Sequence, residues 1–206
     1  MCPFELILVN NASTDHSARV FRQLLPRYFF ACFVEEPVPG YGRAIITGLK
    51  AARGDVLSWT HADLQTEPLD VIRAFRLFLQ QPDSDRVIVK GKRVGRKLGP
   101  WLFTFGMSLI ASMALSGKYF DINAQPKMFS RRFFEREMDS PPEDFSLDLY
   151  LLAIAKRKHC SIRTFPVVFG KRLHGQSKWA FSFRSVSKTI FRSVKYIFQL
   201  RKKLCS

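Results

Sequence analysis

Asp63 stands in the segment His61-Ala62-Asp63-Leu64-Gln65, directly after the apolar run Val56 to Thr60. A carboxylate at a strand end, with an imidazole and an amide beside it, can hold a divalent ion. Oxygen donors suit Mg²⁺ or Mn²⁺, which keep several waters and bind phosphates besides. Such an ion neutralises a departing diphosphate and acts as a Lewis acid. The same Asp can equally open a turn and cap the helix that follows. Gly40-Tyr41-Gly42 precedes a helical pattern; glycines there either cradle phosphate on backbone N–H groups or simply make the turn. In the polar loop around His174-Gly175-Gln176-Ser177-Lys178, Arg172, His174 and Lys178 can close over a phosphate, or they are ordinary loop polarity.

These residues need elements to position them. Phe4 to Val9 reads as a buried strand, and Ser13 or Thr14 can cap a helix from Asp15 to Leu25 that Pro26 closes. Tyr28 to Val34 is a second strand. Ala44, Ile45, Gly48, Leu49 and Ala52 share one face of the next helix. Val56 to Thr60 is the third strand. Thr66 is expected to cap a helix with Pro68 in its first turn and a stripe of Leu69, Ile72, Phe75, Phe78 and Leu79. Arg86 to Lys90 is the fourth strand, Asp121 to Ser130 another, Ser146 to Arg157 a helix, and Ile162 to Phe169 a strand. Alternation of this kind argues for an α/β fold with a mostly parallel sheet flanked by helices. In such sheets ligands bind at the C-terminal ends of strands. Asn10–Asp15 and His61–Gln65 both fall at such ends.

Two stretches remain. Leu98 to Gly117 carries no charge, and reads as a helix in a membrane interface or packed on the domain rather than as a span. From Trp179 to Lys203 apolar residues alternate with Lys and Arg, with no acid among them. That basic amphipathic helix is expected to meet an anionic membrane surface, or to dock on the core. The domain reading is 1–178 for the α/β domain and 179–206 for the helical tail.

The bulk composition fits. The chain has 206 residues, 47% of them hydrophobic and 24% charged, which suits one folded domain and excludes a disordered one. A formal net charge of +16 asks for an anionic partner, and 20 Phe turn that partner towards lipid. Cys2, Cys32, Cys160 and Cys205 show no zinc or redox spacing, so they read as reduced thiols of a cytosol-facing protein. Met1 to Leu8 lacks a basic start and a long apolar run, so no signal peptide is expected. A nucleic-acid reading of the charge has no aromatic motif, zinc spacing or helix-turn-helix to carry it, and no nucleic-acid partner is expected.

Taken in order, the segments resemble glycosyltransferase family 2 with its GT-A (Rossmann-like) fold, and especially its dolichol-phosphate mannosyltransferase-like branch. NNASTD (Asn10–Asp15) resembles the family's DDGSTD turn. GYGRAIITGLKAARGD (Gly40–Asp55) resembles its Gly-rich helix segment. HADLQTEP (His61–Pro68) resembles DADLQ..P, the metal and donor motif. DINAQPKMF (Asp121–Phe129) resembles an acceptor-side strand, which brings in Asp121 and Gln125. FPVVFGKRLHGQSK (Phe165–Lys178) resembles VP+.F..R..G.SK. By position, the resemblance implies that Asn11, Asp15, Gly42, His61 and Asp63 face the donor nucleotide. Asp63 and Gln65 would hold a divalent cation (Mg or Mn), and Arg93, Arg172, Ser177 and Lys178 would meet phosphates.

The chain departs from the pattern in three places. His61 replaces the first acid of the metal motif, Asn10 and Asn11 replace paired acids, and the family's first strand would lie before Phe4, so an N-terminal truncation is expected. The resemblance implies an inverting hexosyltransferase of envelope polysaccharide or glycolipid biosynthesis. It would move a sugar from a nucleotide-sugar donor to a polyprenyl phosphate or to a glycan or lipid-linked hydroxyl, at the cytoplasmic face of a membrane, peripherally held. A phosphate acceptor needs no general base. A hydroxyl does, and Asp144 and Asp148 are the candidates because related enzymes carry an acidic base there. The alternative is an inactive truncated domain that binds membrane or a partner.

Overall fold

A computed structural model describes residues 4–95, 98–170 and 183–205. The chain divides into two compact units. One comprises Met1–Leu57 and Ser130–Leu147, the other Ser58–Phe129 and Asp148–Ser206.

In the first unit, strand β1 (Leu6–Asn11) pairs in parallel with β2 (Ala31–Glu36), in a register that sets Leu6 opposite Ala31 and Asn11 opposite Glu36. The connection is helix α1 (Ser17–Leu24), which starts two residues later than expected. Neither Ser13 nor Thr14 caps it, because the cap position falls to His16 and Asp15 Oδ1 accepts the Ser17 N–H at 2.9 Å. Helix α2 (Tyr41–Ala51) buries Ile46 and Leu49, and its Gly48 lets Val9 of β1 approach. A side chain at Gly48 would meet the Val9 methyl at 3.0 Å. Helix α5 (Arg131–Glu137) is capped by Ser130, whose hydroxyl accepts the Phe133 N–H at 3.0 Å. Arg131 then fastens this helix to the loop after α2, donating to the carbonyls of Ala52 and Gly54.

The remaining strands form a four-stranded sheet. Its strands are β3 (Val56–Trp59), β4 (Val87–Val94), β5 (Lys127–Ser130) and β6 (Ser161–Val168), in the order β3-β5-β4-β6. β4 runs parallel to β6 over its whole length and antiparallel to β5. Helix α3 (Leu69–Leu79) lays Ala74 and Phe78 on this sheet, as its 3.6-residue stripe requires. Thr66 does not cap it. Pro68 holds the cap position, and the buried Thr66 hydroxyl instead lies 3.4 Å from that of Thr60. Helix α6 (Leu147–Arg157) is buried along most of its length.

The strand expected from Asp121 is confined to Lys127–Ser130. Asp121 has a φ of 45°, the Ala124 N–H turns back to the Asp121 carbonyl, and Pro126 has no N–H for a ladder. Helix α4 (Leu98–Ala114) packs on α7 (Phe183–Cys205). Among the described residues no helix is long and apolar enough to cross a membrane.

Candidate functional site

Both polar clusters singled out in the sequence sit at strand C-termini. In the first unit the chain leaves β1 through Asn10 and Asn11. Asn10 is buried and its Oδ1 accepts the Ser13 N–H at 3.2 Å. Asn11 Oδ1 accepts the Gly40 N–H at 2.9 Å, which ties the end of β1 to the turn before α2. Asp15 is exposed, and hydrogen bonds from Ser17 hold its carboxyl below the usual range.

Gly42 does not open a cradle for a ligand's phosphate. A Cβ on Gly42 would lie 2.6 Å from the Glu143 carbonyl carbon and 2.8 Å from the Asp144 oxygen, and closer still to the Pro142 oxygen. The space is filled by protein backbone. The Arg43 N–H at the start of α2 is likewise used, donating to the Glu143 carbonyl at 2.9 Å. Arg43 pairs with Glu143, and Tyr41 stacks on Phe145 with ring centroids 4.6 Å apart. Gly42 therefore docks the 142–145 loop and brings Asp144 towards the Asn11–Gly40 turn. The Asp144 carboxylate is half-buried and accepts the Ser146 N–H at 2.9 Å.

In the second unit, β3 delivers His61 and Asp63, both half-buried. Asp63 Oδ1 accepts the Gln65 N–H at 3.2 Å, and the intervening Leu64 is held at a φ of 56°. A non-glycine residue adopts that conformation only where its neighbours fix it. The fixing contact is a two-bond clasp. Gly170 N–H donates to the Gln65 carbonyl at 2.8 Å, and Gln65 Nε2 donates back to the Gly170 carbonyl at 3.1 Å. The Asp63 loop is thereby joined to the chain just past β6. Arg172, Ser177 and Lys178, expected to meet phosphates, lie outside the described residues.

Among the described residues no group of three His, Cys, Asp or Glu side chains could by itself hold a metal. One carboxylate at Asp63, with an imidazole nearby, is too few donors for a closed protein cage. It fits a hard cation that takes most of its ligands from water and from a substrate diphosphate.

The other expected site residues have different work. Arg93 and Asp121, expected to face phosphate or acceptor, are turned to each other. Arg93 Nε donates to Asp121 Oδ1 at 2.8 Å, Nη2 also reaches Oδ1, and the Arg93 backbone N–H donates to Oδ2 at 2.7 Å. Their side chains are 9% and 3% exposed, so neither offers its charge to a ligand. Burial pushes the Asp121 carboxyl up, and the Arg93 bonds more than offset it, leaving it below the ordinary value.

Asp148, a candidate general base in the sequence, has no exposed surface. Its carboxylate pairs with Lys127 and accepts from Asn123 Nδ2 at 3.1 Å and Gln125 Nε2 at 3.2 Å. A carboxylate so enclosed holds the fold and does not collect a substrate proton. Gln125 is 2% exposed and belongs to the same network. Of the two carboxylates, Asp144 alone keeps access to solvent.

Sequence reasoning missed the cations of this network. Lys127 is fully buried, and burial pushes its pKa down. Lys90 is 2% exposed, and burial followed by repulsion from Lys127 pushes its pKa down to about 7. The available signal was a lysine inside an apolar strand at each place, Val-Ile-Val-Lys and Lys-Met-Phe, where the neighbours leave no solvent-facing side.

Residues 2–143 match the family model described as glycosyl transferase family 2. A dolichol-phosphate mannosyltransferase of Pyrococcus furiosus is 26% identical over 97% of this chain, which spans about half (55%) of that protein's length. Among solved structures, a mannosyltransferase from Pyrobaculum calidifontis, in complex with GDP-Man and Mn²⁺, superposes with a TM-score of 0.60 at 21% identity, over 97% of this chain and 60% of that one. Glucosyl-3-phosphoglycerate synthase from Mycobacterium tuberculosis, with Mn²⁺, UDP and glucosyl-3-phosphoglycerate, gives a TM-score of 0.68 at 19% identity, over 96% and 68%. The α/β fold expected from the alternation of elements is the fold of these transferases.

Proposed function

Because the chain belongs to glycosyl transferase family 2, we propose that it moves a sugar from a nucleotide-diphosphate donor to an acceptor presented at a membrane surface. The observation that carries this reading is the Asp63 loop. A half-buried carboxylate stands at the C-terminal end of β3, in a strained turn clasped to Gly170. Held there, Asp63 would bind a divalent cation, with His61 beside it and Gln65 fixing the loop. Mn²⁺ is present with nucleotide ligands in both solved relatives. When bound, the cation neutralises charge on the diphosphate leaving group.

A polyprenyl phosphate is the acceptor this chain favours. Such a nucleophile is already anionic, so the burial of Asp148 costs the reaction nothing. The similar protein of Pyrococcus furiosus is a dolichol-phosphate mannosyltransferase. The surface agrees: Leu98, Trp101, Leu102, Phe105, Leu109 and Met113 form an exposed stripe along α4. On the packed neighbour α7, Phe191 and Phe198 are exposed beside Arg192, Lys195, Arg201 and Lys202. Apolar groups entering the acyl boundary with cations at phosphate level make a peripheral membrane seat.

The test is calorimetric titration of UDP and GDP with and without Mn²⁺, beside Asp63→Ala. Metal-dependent binding that disappears in the variant supports the reading and names the base. Binding of neither nucleotide overturns it in favour of a non-catalytic domain, to which His61 in place of an acid would then belong.

A further inference from the structure

A cavity of about 350 Å³ lies within the unit that carries most of the four-stranded sheet. It is lined by Lys90 of β4, Lys118, Tyr119 and Phe120 of the loop after α4, Leu152 and Lys156 of α6, Cys160, and Ile162 and Thr164 of β6. None of these residues takes part in the proposed donor site. Lys90 pairs with Thr164 in the strand register, four positions before the C-terminal end of β4 at Val94. The cavity is therefore set back from the strand ends where the Asp63 loop lies.

The charges in this cavity are one-sided. Among the described residues three lysines line it and no carboxylate does. The two carboxylates whose fields reach Lys90 are already committed, Asp121 to Arg93 and Asp148 to Lys127. Lys90 Nζ donates to the carbonyls of Gly91 at 3.0 Å and Phe120 at 3.3 Å. An ammonium carries three N–H donors, so one remains. Lys156 Nζ sits 4.8 Å from the centroid of the Tyr119 ring and is repelled by Lys118. Burying the Lys90 cation without counter-charge is costly, and the cost is relieved when an anion enters. Besides Cys160 and Thr164, the rest of the lining, Leu152, Ile162, Tyr119 and Phe120, is apolar or aromatic. A cavity of this size lined by cationic donors and apolar walls matches a small-molecule site.

We propose that this cavity binds a phosphate monoester with a small organic body, its phosphate held by Lys90, Lys118 and Lys156 and its body against Leu152 and Ile162. The multiply charged head follows from three lysines lining one cavity with no acid among its described lining residues. The organic body follows from a volume and an apolar wall that a bare phosphate ion would leave unfilled. The phosphate can come from a soluble ester or from a lipid headgroup, and the experiment separates them.

Glycerol 3-phosphate and inorganic phosphate are titrated into the full chain in EDTA and physiological salt, with sulfate as competitor, and vesicles containing phosphatidic acid form the second arm. EDTA silences metal-dependent binding at the Asp63 loop, so failure here and failure of the donor reading remain distinguishable. Saturable glycerol 3-phosphate binding, tighter than inorganic phosphate and weakened roughly tenfold by Lys118→Ala and by Lys156→Ala, is the expected result, each lysine supplying a charge-assisted contact. Lys118 is exposed and Lys156 half-buried, so both variants should fold, and Lys50→Ala on α2 should bind as the parent does. Vesicle binding that falls with the same two lysines, without soluble-ester binding, assigns the phosphate to a lipid and supports the site. Absence of saturable binding in both arms, or binding unchanged in the Lys118→Ala/Lys156→Ala double variant, overturns the proposal.

Discussion

Lys127 and Asp148 form an ion pair in which neither side chain has any exposed surface. β5 supplies the cation and the first turn of α6 the anion, so the pair couples the sheet to the helix that covers it. Asn123, Gln125 and the Ala124 carbonyl satisfy much of what remains on either partner. Such a pair stabilises little compared with an apolar replacement, yet breaking it strands a buried charge.

Asp148→Asn is therefore expected to destabilise the protein by about 3–5 kcal/mol, a fall in melting temperature of roughly 10 °C for a chain of this size. The double variant Lys127→Met/Asp148→Leu should recover most of that loss. A single variant that melts like the parent would show that Asp148 does not serve the fold and would make it a candidate base again. Differential scanning calorimetry on the three proteins decides.

Glycine serves opposite ends at two positions. Gly42→Ala must push the Pro142–Asp144 backbone away from α2, an overpacking expected to cost about 1–3 kcal/mol. Gly106 lies inside α4, and a Cβ there would meet nothing within 4 Å, so Gly106→Ala should raise stability by up to about 1 kcal/mol. Urea unfolding of both variants measures the contrast. Equal midpoints would mean that the 142–145 loop yields freely.

Arg93→Lys tests the grip on Asp121. Lysine keeps the charge and the backbone N–H bond to Oδ2 but cannot reproduce the two guanidinium bonds to Oδ1. A loss of about 2–3 kcal/mol is expected, the scale of hydrogen bonds to charged groups. A change in nucleotide affinity with no change in stability would instead place Arg93 at a ligand.

The elements that position the site were legible because they rest on local pattern. The stripe from Leu69 to Leu79 gave α3, and the polar clusters after β1 and β3 marked the strand ends. What stayed hidden depends on partners distant in the chain. Nothing near Arg93 announces Asp121, 28 residues away. Nothing near Gly42 announces the backbone of Pro142 to Asp144, so a ligand and a loop gave the same sequence signal. The irregular path from Asp121 to Pro126 also read as strand, since its apolar alternation says nothing of a positive φ. Asp148 reads as a candidate base because related enzymes carry an acidic base at that place, and only the three-dimensional packing encloses it.

The buried lysines give the stability a definite pH dependence. Lys90 titrates at about 7 in the folded protein against 10.5 for an ordinary lysine, because burial and the positive charges of Lys127 and Arg93 outweigh Asp121 and Asp148. Lys127 is shifted in the same direction by burial. Between pH 7 and about 10 the unfolded chain thus binds more protons than the folded one, so stability rises with pH across that window and falls as pH returns towards 7. Relief of the general repulsion among +16 charges acts in the same sense, so a rising curve alone proves nothing about Lys90. Lys90→Met provides the separation. It removes the titrating group and leaves most of the surface charge, so the slope of unfolding free energy against pH from 7 to 10 should flatten markedly. A variant slope equal to the parent's would leave the effect to Lys127 and surface charge and show that Lys90 is solvated in the folded protein. Urea denaturation at closely spaced pH values, on parent and variant together, gives the two slopes.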